Sequence, residues 1–565
     1  MDQTAAQGER LGLSPSSTPE SWSFYVPHFL ARVLFGAGCL VAVGLSSCAL
    51  TEPDVRCAVR LELTDAESGK TLAGLVRVLD SQGDLIPLEG LLSRGEGLEE
   101  KHKARRWWVL PGSTTVDLPR KRLVIEALRG IDTRLERVEL DLAGRSTAET
   151  RIALRRFHNA GANEWRSANT HLHLQKLSRD EADRYLCEVA AADGLDVLFV
   201  SHLERVEADR EYITNRYTAL DLKALSEKSG VLFGNGEEHR HNFLNPGEEP
   251  GKSFEGEGYG HVMFLNILKL IQPVSIGRGI TGTGTDGVPL QRGIDEARKD
   301  GATVLWCHNT FGLEDIPNWV TGRPHAQNIF DGDAPTDGNY KGRYKDTFYR
   351  YLNVGLRVPF STGTDWFIYD FSRVYAQVPS LKTPRDWLSA LEKGRTYITN
   401  GPFLHLTADG LTPGDTLRLA EPGRVQIRGQ ALGRVDFRRV ELVRNGEVVQ
   451  SADSRPAGDH FASELLFDLD VVTPCWLALR IPPAVQGSPE NELGGPLFAH
   501  TSPVYIEVQG RHVFQAEVAR ELLADVQRAR EVILKSADFA DEHEKEHVLA
   551  VYEQAITVLE RMLNP

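Results

Sequence analysis

The sequence predicts an α/β protein whose central domain of parallel strands lies between two β-rich domains. The first observation is that helical segments and apolar strands alternate over 163–402, the order that parallel strands with crossover helices require. The second is that short alternating strands without good helices occupy 55–160 and 403–510. Both of these regions are predicted to be β-sandwiches. The third is that 511–565 carries apolar residues at helical spacing, which is typical of a helical hairpin.

Residues 1–48 are interpreted as an N-terminal extension that ends in a lipoprotein-type signal. Arg32 precedes the apolar run VLFGAGCLVAVGL, which is too short to span a bilayer comfortably and ends in LSSC. That ending resembles the bacterial lipobox, so Cys48 is the predicted lipidation site. The alternative is a short buried helix. We therefore expect an exported protein, a periplasmic or cell-surface lipoprotein that meets the membrane only through its lipid anchor.

The net charge argues against nucleic acid as a partner, and the cysteine spacing argues against a zinc ribbon or a disulfide scaffold. The formal net charge is -15 and the sequence contains only one short basic cluster, KHKARR, so nucleic acid is not an expected partner. The four cysteines beyond the signal show neither CxxC spacing nor a dense framework. They are interpreted as core residues, and one disulfide stays open as an alternative.

Three apolar strands of the central domain end at a residue that could bind a metal ion. LDVLFVSH ends at His202, ATVLWCH at His308 and VPFSTGTD at Asp365. Parallel α/β folds collect their functional groups at the carboxyl ends of the strands. These residues are therefore expected to converge although they are far apart in sequence.

The stretch RSANTHLHLQ places His171 and His173 two residues apart on a predicted strand. Side chains at that spacing point to the same side of a strand, so both imidazoles could share one cation. An HxH pair alone is usually incidental. The pair becomes informative only together with further ligands.

A Gly-rich region over 236–261, expected to contain few regular elements, supplies a carboxylate and another imidazole, Glu238 and His261. A carboxylate that bridges two cations suits a two-metal hydrolytic site. Glu237 is an alternative interpretation of the same motif. The neighbouring His239 and His241 are interpreted as solvated or substrate-facing residues.

Taken in order, THLH, LDVLFVSH, GEE followed by GH, VLWCH and STGTD resemble the motifs of the PHP (polymerase and histidinol phosphatase) metallohydrolases. GRTYITNGP and AHTSPVYI resemble the carbaryl hydrolase-like (CehA/McbA) branch. The resemblance covers about 165–510. It implies a distorted seven-stranded β/α barrel that holds divalent metal ions, zinc, iron or manganese, at the carboxyl ends of its strands.

The resemblance also implies the ligands, taken over position by position: His171, His173, Glu238, His261, His308 and Asp365. His202 matches a histidine that serves a third metal in some members. Ser201 stands where an acidic residue usually precedes that histidine, and Phe367 stands where the final histidine belongs. Two metal ions are therefore predicted, and a third is not.

The predicted function is a metal-dependent hydrolase in which metal-bound hydroxide cleaves a phosphoester or a carbamate or amide-type ester of a small molecule. Arg240 or Arg205 would neutralise a phosphate, and His202 would protonate the leaving group. For His202 the alternative is a histidine whose hydrogen bonds are satisfied at a strand end.

A long segment rich in Gly, Asp and Pro follows His308 over 309–344. Loops of this length are often functional, so the segment is interpreted as a wall over the site. Arg323 and His325 would then contact substrate, and a plain surface loop is the alternative. The rival for the whole chain is a non-catalytic surface binding or scaffold protein with a degenerate barrel.

Overall fold

The computed structural model describes residues 56–253, 258–307, 312–329, 348–485 and 487–564. The predicted signal segment with Cys48, and the predicted ligand His308, lie outside these residues. Among the described residues, no helix has both the length and the apolar character to cross a membrane. The described chain mixes helices with a large curled sheet, which confirms the predicted α/β class.

The N-terminal region consists of two sheets that share a core. One has the order β6–β1–β9 and the other the order β4–β5–β2–β7–β8, with β3 added to β2. In β1, alternate residues from Cys57 to Leu63 point inward, as a strand with one buried face requires. The strands of this region are β1 Arg56–Asp65, β2 Gly74–Asp80, β3 Leu85–Ile86, β4 Leu92–Ser93, β5 Trp108–Leu110, β6 Ser113–Pro119, β7 Arg122–Leu128, β8 Glu136–Asp141 and β9 Thr147–Leu154.

The central region alternates strands and helices. Its strands are β10 Trp165–Asn169, β11 Leu172–His173, β12 Val197–His202, β13 Leu232–His241, β14 Gly260–Leu265, β15 Ser275–Ile276, β16 Thr303–Trp306, β17 Ala326–Asn328, β18 Phe360–Ser361, β19 Asp365–Trp366, β20 Arg373–Gln377 and β21 Thr396–Thr399. Its helices are α1 Arg179–Ala192, α2 Ala219–Ser229, α3 Arg278–Thr281, α4 Leu290–Lys299, α5 Asp315–Val320, α6 Phe348–Asn353 and α7 Pro384–Leu391.

These strands form a sheet of order β18–β17–β16–β14–β13–β12–β10. Neighbouring strands are parallel except at β14, which runs antiparallel to both β13 and β16. The strands β14 and β16 are buried along their whole length, as expected for strands that are covered on both faces. The parallel strands therefore present their carboxyl ends at one edge.

The sheet curls so that the segment after β18 meets the segment after β10. Thr170 N donates to Thr362 O at 3.3 Å, and Thr364 N donates to His171 O at 3.0 Å. The short strands β11 and β19 then pair in parallel. This closure brings two ends that are remote in sequence into direct contact.

The sheet continues beyond the central region through β20, β21, β30, β29, β25 and β26. The strands of the C-terminal region are β22 Phe403–Ala408, β23 Thr416–Leu419, β24 Gly423–Gly433, β25 Arg439–Arg444, β26 Glu447–Asp453, β27 Arg455–Ala457, β28 His460–Val471, β29 Cys475–Arg480, β30 Ala499–Thr501 and β31 Val504–Val508. A second sheet has the order β22–β24–β28–β27. Backbone hydrogen bonding thus crosses the position between 402 and 403 where composition predicts a domain boundary.

The last two helices, α8 Ala516–Ser536 and α9 Glu542–Leu563, pack against each other and against α5. Asp286 anchors the connection between them to the central region, because its backbone N donates to Asp538 O at 2.7 Å. Its carboxylate also accepts from Asp538 N at 2.9 Å. Elsewhere in the described chain, the cysteines at 57, 187, 307 and 475 are buried and free.

Candidate metal centre

Four of the predicted ligands meet in one place. The side chains of His171, His173, Glu238 and Asp365 each offer a ligand atom, and these atoms all lie within 4.8 Å of one another. The two histidines follow β10, Glu238 lies in β13, and Asp365 follows β18. Segments that are remote in sequence therefore supply these four side chains, which we call the four-ligand cluster.

The two histidines are fully buried and face the same carboxylate. His173 Nε2 lies 3.0 Å and His171 Nε2 lies 3.5 Å from Glu238 Oε2. His173 Nδ1 lies 3.0 Å from the carbonyl oxygen of Ser201. Because a carbonyl only accepts hydrogen bonds, Nδ1 carries the proton and Nε2 is left as a lone-pair donor. This arrangement orients a histidine for metal binding.

Asp365 reaches the cluster through an unusual backbone conformation. Its φ is 54°, in the left-handed region that residues other than glycine rarely adopt. Its backbone N donates to His171 O at 2.9 Å. Gly363 permits this approach, because a Cβ atom there would lie 2.6 Å from the Cβ of His171. Asp365 Oδ1 then lies 3.4 Å from His171 Nε2.

Glu238 faces two sides at once. Its Oε2 faces His171 and His173, whereas its Oε1 lies 3.5 Å from His261 Nδ1 and 3.5 Å from Arg240 Nη1. Residues 240 and 261 pair across β13 and β14, so their side chains share the inner face of the sheet. A carboxylate placed in this way can bridge two cations.

Glu237 points to the opposite face of β13. Its Oε1 lies 3.2 Å from His239 Nδ1, and its Oε2 accepts from Ile271 N at 2.7 Å. Adjacent residues of a strand point to opposite sides, so only one of the two glutamates can join the cluster. Of the two interpretations of the GEE motif, the structure places Glu238 there.

The interpretation of His239 and His241 as solvated or substrate-facing is wrong. Both are fully buried on the outer face of β13. His241 Nε2 lies 3.1 Å from Asp286 Oδ1, and its Nδ1 accepts from Tyr259 N at 3.1 Å. The region over 236–261 also contains regular strands, β13 and β14, although its glycines suggested irregular structure.

The residues of the cluster fit a divalent cation. Imidazole and carboxylate are the donors that zinc, iron and manganese share. Asp365 Oδ1 is buried and receives no hydrogen bond from the described residues. Burial alone would lower the pKa of His171, but Asp365 and Glu238 raise it. This concentration of negative charge is what a bound cation would neutralise.

Arg240, Arg205 and His202 surround the cluster. Arg240 is buried beside Glu238, and burial lowers its pKa. Arg205 lies 5.5 Å from the centre of the Trp366 ring and forms an ion pair with Asp209 at 2.8 Å. That ion pair raises the pKa of Arg205 against the opposing effect of burial.

His202 ends β12, where its Nε2 lies 3.6 Å from Glu204 Oε2. Burial lowers its pKa, and 17% of its side chain stays exposed. The imidazole is therefore only partly exposed, and its Nε2 atom is buried.

The structure does not bring Arg323 and His325 to the cluster. His325 Nδ1 accepts from Val304 N at 2.9 Å, and Arg323 pairs with Asp295 at 2.8 Å. Val304 lies near the start of β16, so both residues lie at the amino ends of the strands. The segment interpreted as one long wall contains α5 and β17, and α5 turns the chain back to that end before β17 begins.

Two polar groups that no sequence motif indicated support the ligands. Asn169 Oδ1 accepts from His171 N at 3.1 Å, and its Nδ2 donates to Thr364 Oγ1 at 2.8 Å. It thereby joins the two ligand-bearing segments. The other group is the carbonyl of Ser201 described above. An asparagine that directly precedes THLH was the available signal for the first, whereas a backbone carbonyl has none.

No protein-family model and no curated protein matches this chain. Among solved structures, the chain is similar to a two-domain protein from Bacteroides vulgatus that is described as containing a predicted PHP-like metal-dependent phosphoesterase. The TM-score is 0.31 at 12% sequence identity, over 61% of this chain and 96% of that chain. A likeness at that score does not establish a shared fold.

Proposed function

We propose that this protein is a metal-dependent hydrolase with a carboxylate-bridged, two-metal centre. The observation that carries the proposal is the buried four-ligand cluster, in which Glu238 turns one oxygen to the histidine pair and the other to His261. His171, His173, Asp365 and Glu238 would hold one ion. Glu238 and His261 would hold the second, for which His308 is the further proposed ligand.

Divalent ions bound there would act as Lewis acids on the substrate oxygen and promote the ionisation of water near neutral pH. The other roles belong to the side chains of this chain. Arg240 and Arg205 lie beside the cluster and would hold negative charge of the substrate. His202 would hold or release a proton at Nε2, a buried atom that lies 3.6 Å from Glu204 Oε2.

The proposed substrate is a small phosphoester or a carbamate or amide-type ester. We further propose that the central sheet is a distorted PHP-type barrel, that the flanking sheets form two β-sandwiches, and that the protein is exported as a lipoprotein anchored through Cys48. The order of strands β18 to β10 and the contacts that join their ends support the barrel.

A combined metal and hydrolysis measurement tests this function. Chelator-treated protein is loaded with zinc, iron or manganese, and bound metal is measured together with hydrolysis of nitrophenyl phosphates and naphthyl carbamates. We compare wild type with His171→Ala and with His460→Gln, a control whose imidazole pairs with Asp459 far along the chain.

We expect about two metal ions per chain in wild type and in the control. His171→Ala should lose at least one ion and about 100-fold or more of the activity, because its imidazole supplies a ligand. A wild-type protein that binds no stoichiometric metal and leaves both substrate classes intact would contradict the proposal and favour the scaffold alternative.

A further inference from the structure

A buried arginine from the N-terminal region lies against the segment that carries Asp365. Arg94 directly follows β4, and its side chain is fully buried. Its backbone N donates to Trp107 O at 2.8 Å, which fixes where the side chain starts. The guanidinium extends from there into the central region, where it contacts both the end of α1 and the turn after β19.

Arg94 forms a two-pronged ion pair with Asp193, the residue that directly follows α1. The distances are 3.0 Å from Nε to Oδ1 and 2.6 Å from Nη2 to Oδ2, and both side chains are fully buried. A guanidinium offers five N–H donors in a fixed plane. The pair with Asp193 therefore leaves N–H groups of Arg94 available for other acceptors. It also fixes the direction in which these N–H groups point.

The remaining donors of Arg94 bind the turn that follows Asp365. Nη1 donates to the carbonyl of Ile368, and Nη2 donates to the carbonyl of Asp370 at 3.2 Å. Tyr185 of α1 holds the same turn, because its hydroxyl oxygen accepts from Ile368 N at 2.9 Å. Both ends of this short backbone segment are thus fixed by side chains from outside it.

The turn needs such support because its backbone is strained. Asp365 and Phe367 have φ values of 54° and 57°, in the left-handed region that residues other than glycine adopt only at an energetic cost. The ring of Phe367 packs between Tyr185, at 5.7 Å between ring centres, and Gly97 of the N-terminal region. A Cβ atom at Gly97 would lie only 2.1 Å from that ring.

We propose that Arg94 is a positioning residue of the metal centre. Through Ile368 and Asp370 it fixes the turn that presents Asp365 to the cation, so the N-terminal region helps to build a site formed by residues of the central region. This inference rests on the proposed function, because it requires that Asp365 bind a metal ion.

The test uses variants that remove the hydrogen bonds to the turn without leaving a buried unpaired charge. In Arg94→Met/Asp193→Asn both charges are removed together, since losing one partner of a buried ion pair is strongly destabilising. Arg94→Lys keeps a cation opposite Asp193 but cannot reach all of these acceptors.

Arg434 provides a matched control. It pairs with Glu492 at 2.6 Å and 2.7 Å, and donates to the carbonyls of Thr133 and Gly130 at 2.6 Å and 3.1 Å. Like Arg94, it combines an ion pair with hydrogen bonds to two backbone carbonyls. It approaches the ring of Phe371, at 5.9 Å from the ring centre, but does not bond to the carbonyls of 368 and 370. The control variant is Arg434→Met/Glu492→Gln.

Mn²⁺ binding to the chelator-treated full chain is measured by titration calorimetry, and thermal unfolding is measured in EDTA. We expect both Arg94 variants to bind Mn²⁺ about 10- to 100-fold more weakly than wild type. Substitution of residues that orient metal ligands commonly lowers metal affinity by such a factor. High Mn²⁺ should restore their hydrolysis. The control should bind within about threefold of wild type even where its unfolding temperature falls similarly.

Wild-type Mn²⁺ affinity in a folded Arg94 variant overturns the inference and leaves the proposed function intact. If the double variant does not fold, Arg94→Lys decides in the same way. A wild-type chain that binds no Mn²⁺, Zn²⁺ or Fe²⁺ overturns the proposed function and this inference together. If the Arg434 control loses as much Mn²⁺ affinity as the Arg94 variants, the inference about Arg94 is overturned. The effect would then come from general loosening of the N-terminal region.

Discussion

Glu238 and Glu237 differ by one position in the chain and face different surroundings. Glu238 Oε2 lies 3.0 Å from His173 Nε2 inside the curled sheet. Glu237 lies behind the sheet, where its carboxylate accepts a backbone hydrogen bond from Ile271 at 2.7 Å. Both are buried, so a comparison of the two separates metal binding from burial.

We predict that Glu238→Gln loses metal affinity by about 100-fold or more, since a bridging anion becomes a neutral amide. Glu237→Gln keeps an oxygen acceptor for Ile271 N, so its metal affinity should stay within a few-fold of wild type while its unfolding temperature falls. Calorimetric titration with Mn²⁺ and thermal unfolding measure the two effects. The opposite order of affinities would show that the wrong glutamate has been placed in the centre.

Sequence patterns predict single residues well where strand ends determine their position. Asp365 was predicted to lie at the site because parallel strands end at one edge, and His171 and His173 were predicted from their spacing to share one cation. The structure brings these three residues together. His239 and His241 could not be placed, because the face on which a side chain lies follows from recognising β13 as a strand. The glycines of that stretch are unusual in a strand, so the sequence did not predict β13. Gly236 is needed there because a Cβ would lie 2.8 Å from Leu265 Cδ2.

Among the secondary-structure elements, α5 and α6 are linked by a hydrogen bond to a buried carboxyl group. The Tyr351 hydroxyl donates to Asp315 Oδ2 at 2.7 Å. Burial raises the pKa of Asp315 to about 7. Burial likewise raises the pKa of its neighbour Glu314 to about 7, although Glu314 accepts hydrogen bonds from the start of α4.

The raised pKa of Asp315 predicts a pH dependence of stability. The folded protein holds a proton that the unfolded chain releases near its ordinary pKa of 3.8, so the contribution is fully present below that pH. It is lost as pH rises to about 7, by roughly 1.4 kcal/mol per pH unit per proton at most. Asp315→Asn should therefore lose less stability than wild type between pH 5 and pH 8.

Urea unfolding at several pH values measures this difference. Glu531→Gln, an exposed position on α8, is the control and should follow the wild-type curve. Parallel curves for wild type and Asp315→Asn would show that the carboxyl group is already ionised in the folded protein at pH 5.

Elements with strong local signals are predicted best. Thr383 caps α7, Pro384 opens its first turn and Asp386 completes the capping box, a combination that defines a helix start locally. The strands β16, β17 and β18 have four residues or fewer. Such short strands are defined by their neighbours in the sheet, so the sequence predicted a loop where α5 and β17 lie. For the same reason, Arg323 and His325 were predicted at the carboxyl ends of the strands, whereas they lie at the amino ends.

At the scale of the whole molecule, packing crosses the regions that composition separates. Trp107 of the N-terminal region and Phe403 of the C-terminal region share a buried core with Tyr185 of α1. The strand pair β21–β30 carries the central sheet into the C-terminal region. Composition changes mark where strand-only segments begin, but hydrogen bonding between distant strands leaves no local signal. The predicted domain boundaries therefore stay predictions.

The N-terminal region also has a core of its own, formed by β1, β2 and their neighbours. It nevertheless contributes Arg94, which pairs with Asp193 of the central region at 2.6 Å and donates hydrogen bonds to the turn beside the cluster. The N-terminal region is therefore placed to influence the proposed chemistry.

Anomalous diffraction from crystals of the full chain grown with Mn²⁺ or Zn²⁺ would locate the metal ions of the proposed two-metal centre. We expect one anomalous peak enclosed by His171, His173, Glu238 and Asp365, and a second on the Oε1 side of Glu238 next to His261. Metal-replete crystals that show no peak within the four-ligand cluster would contradict the proposal.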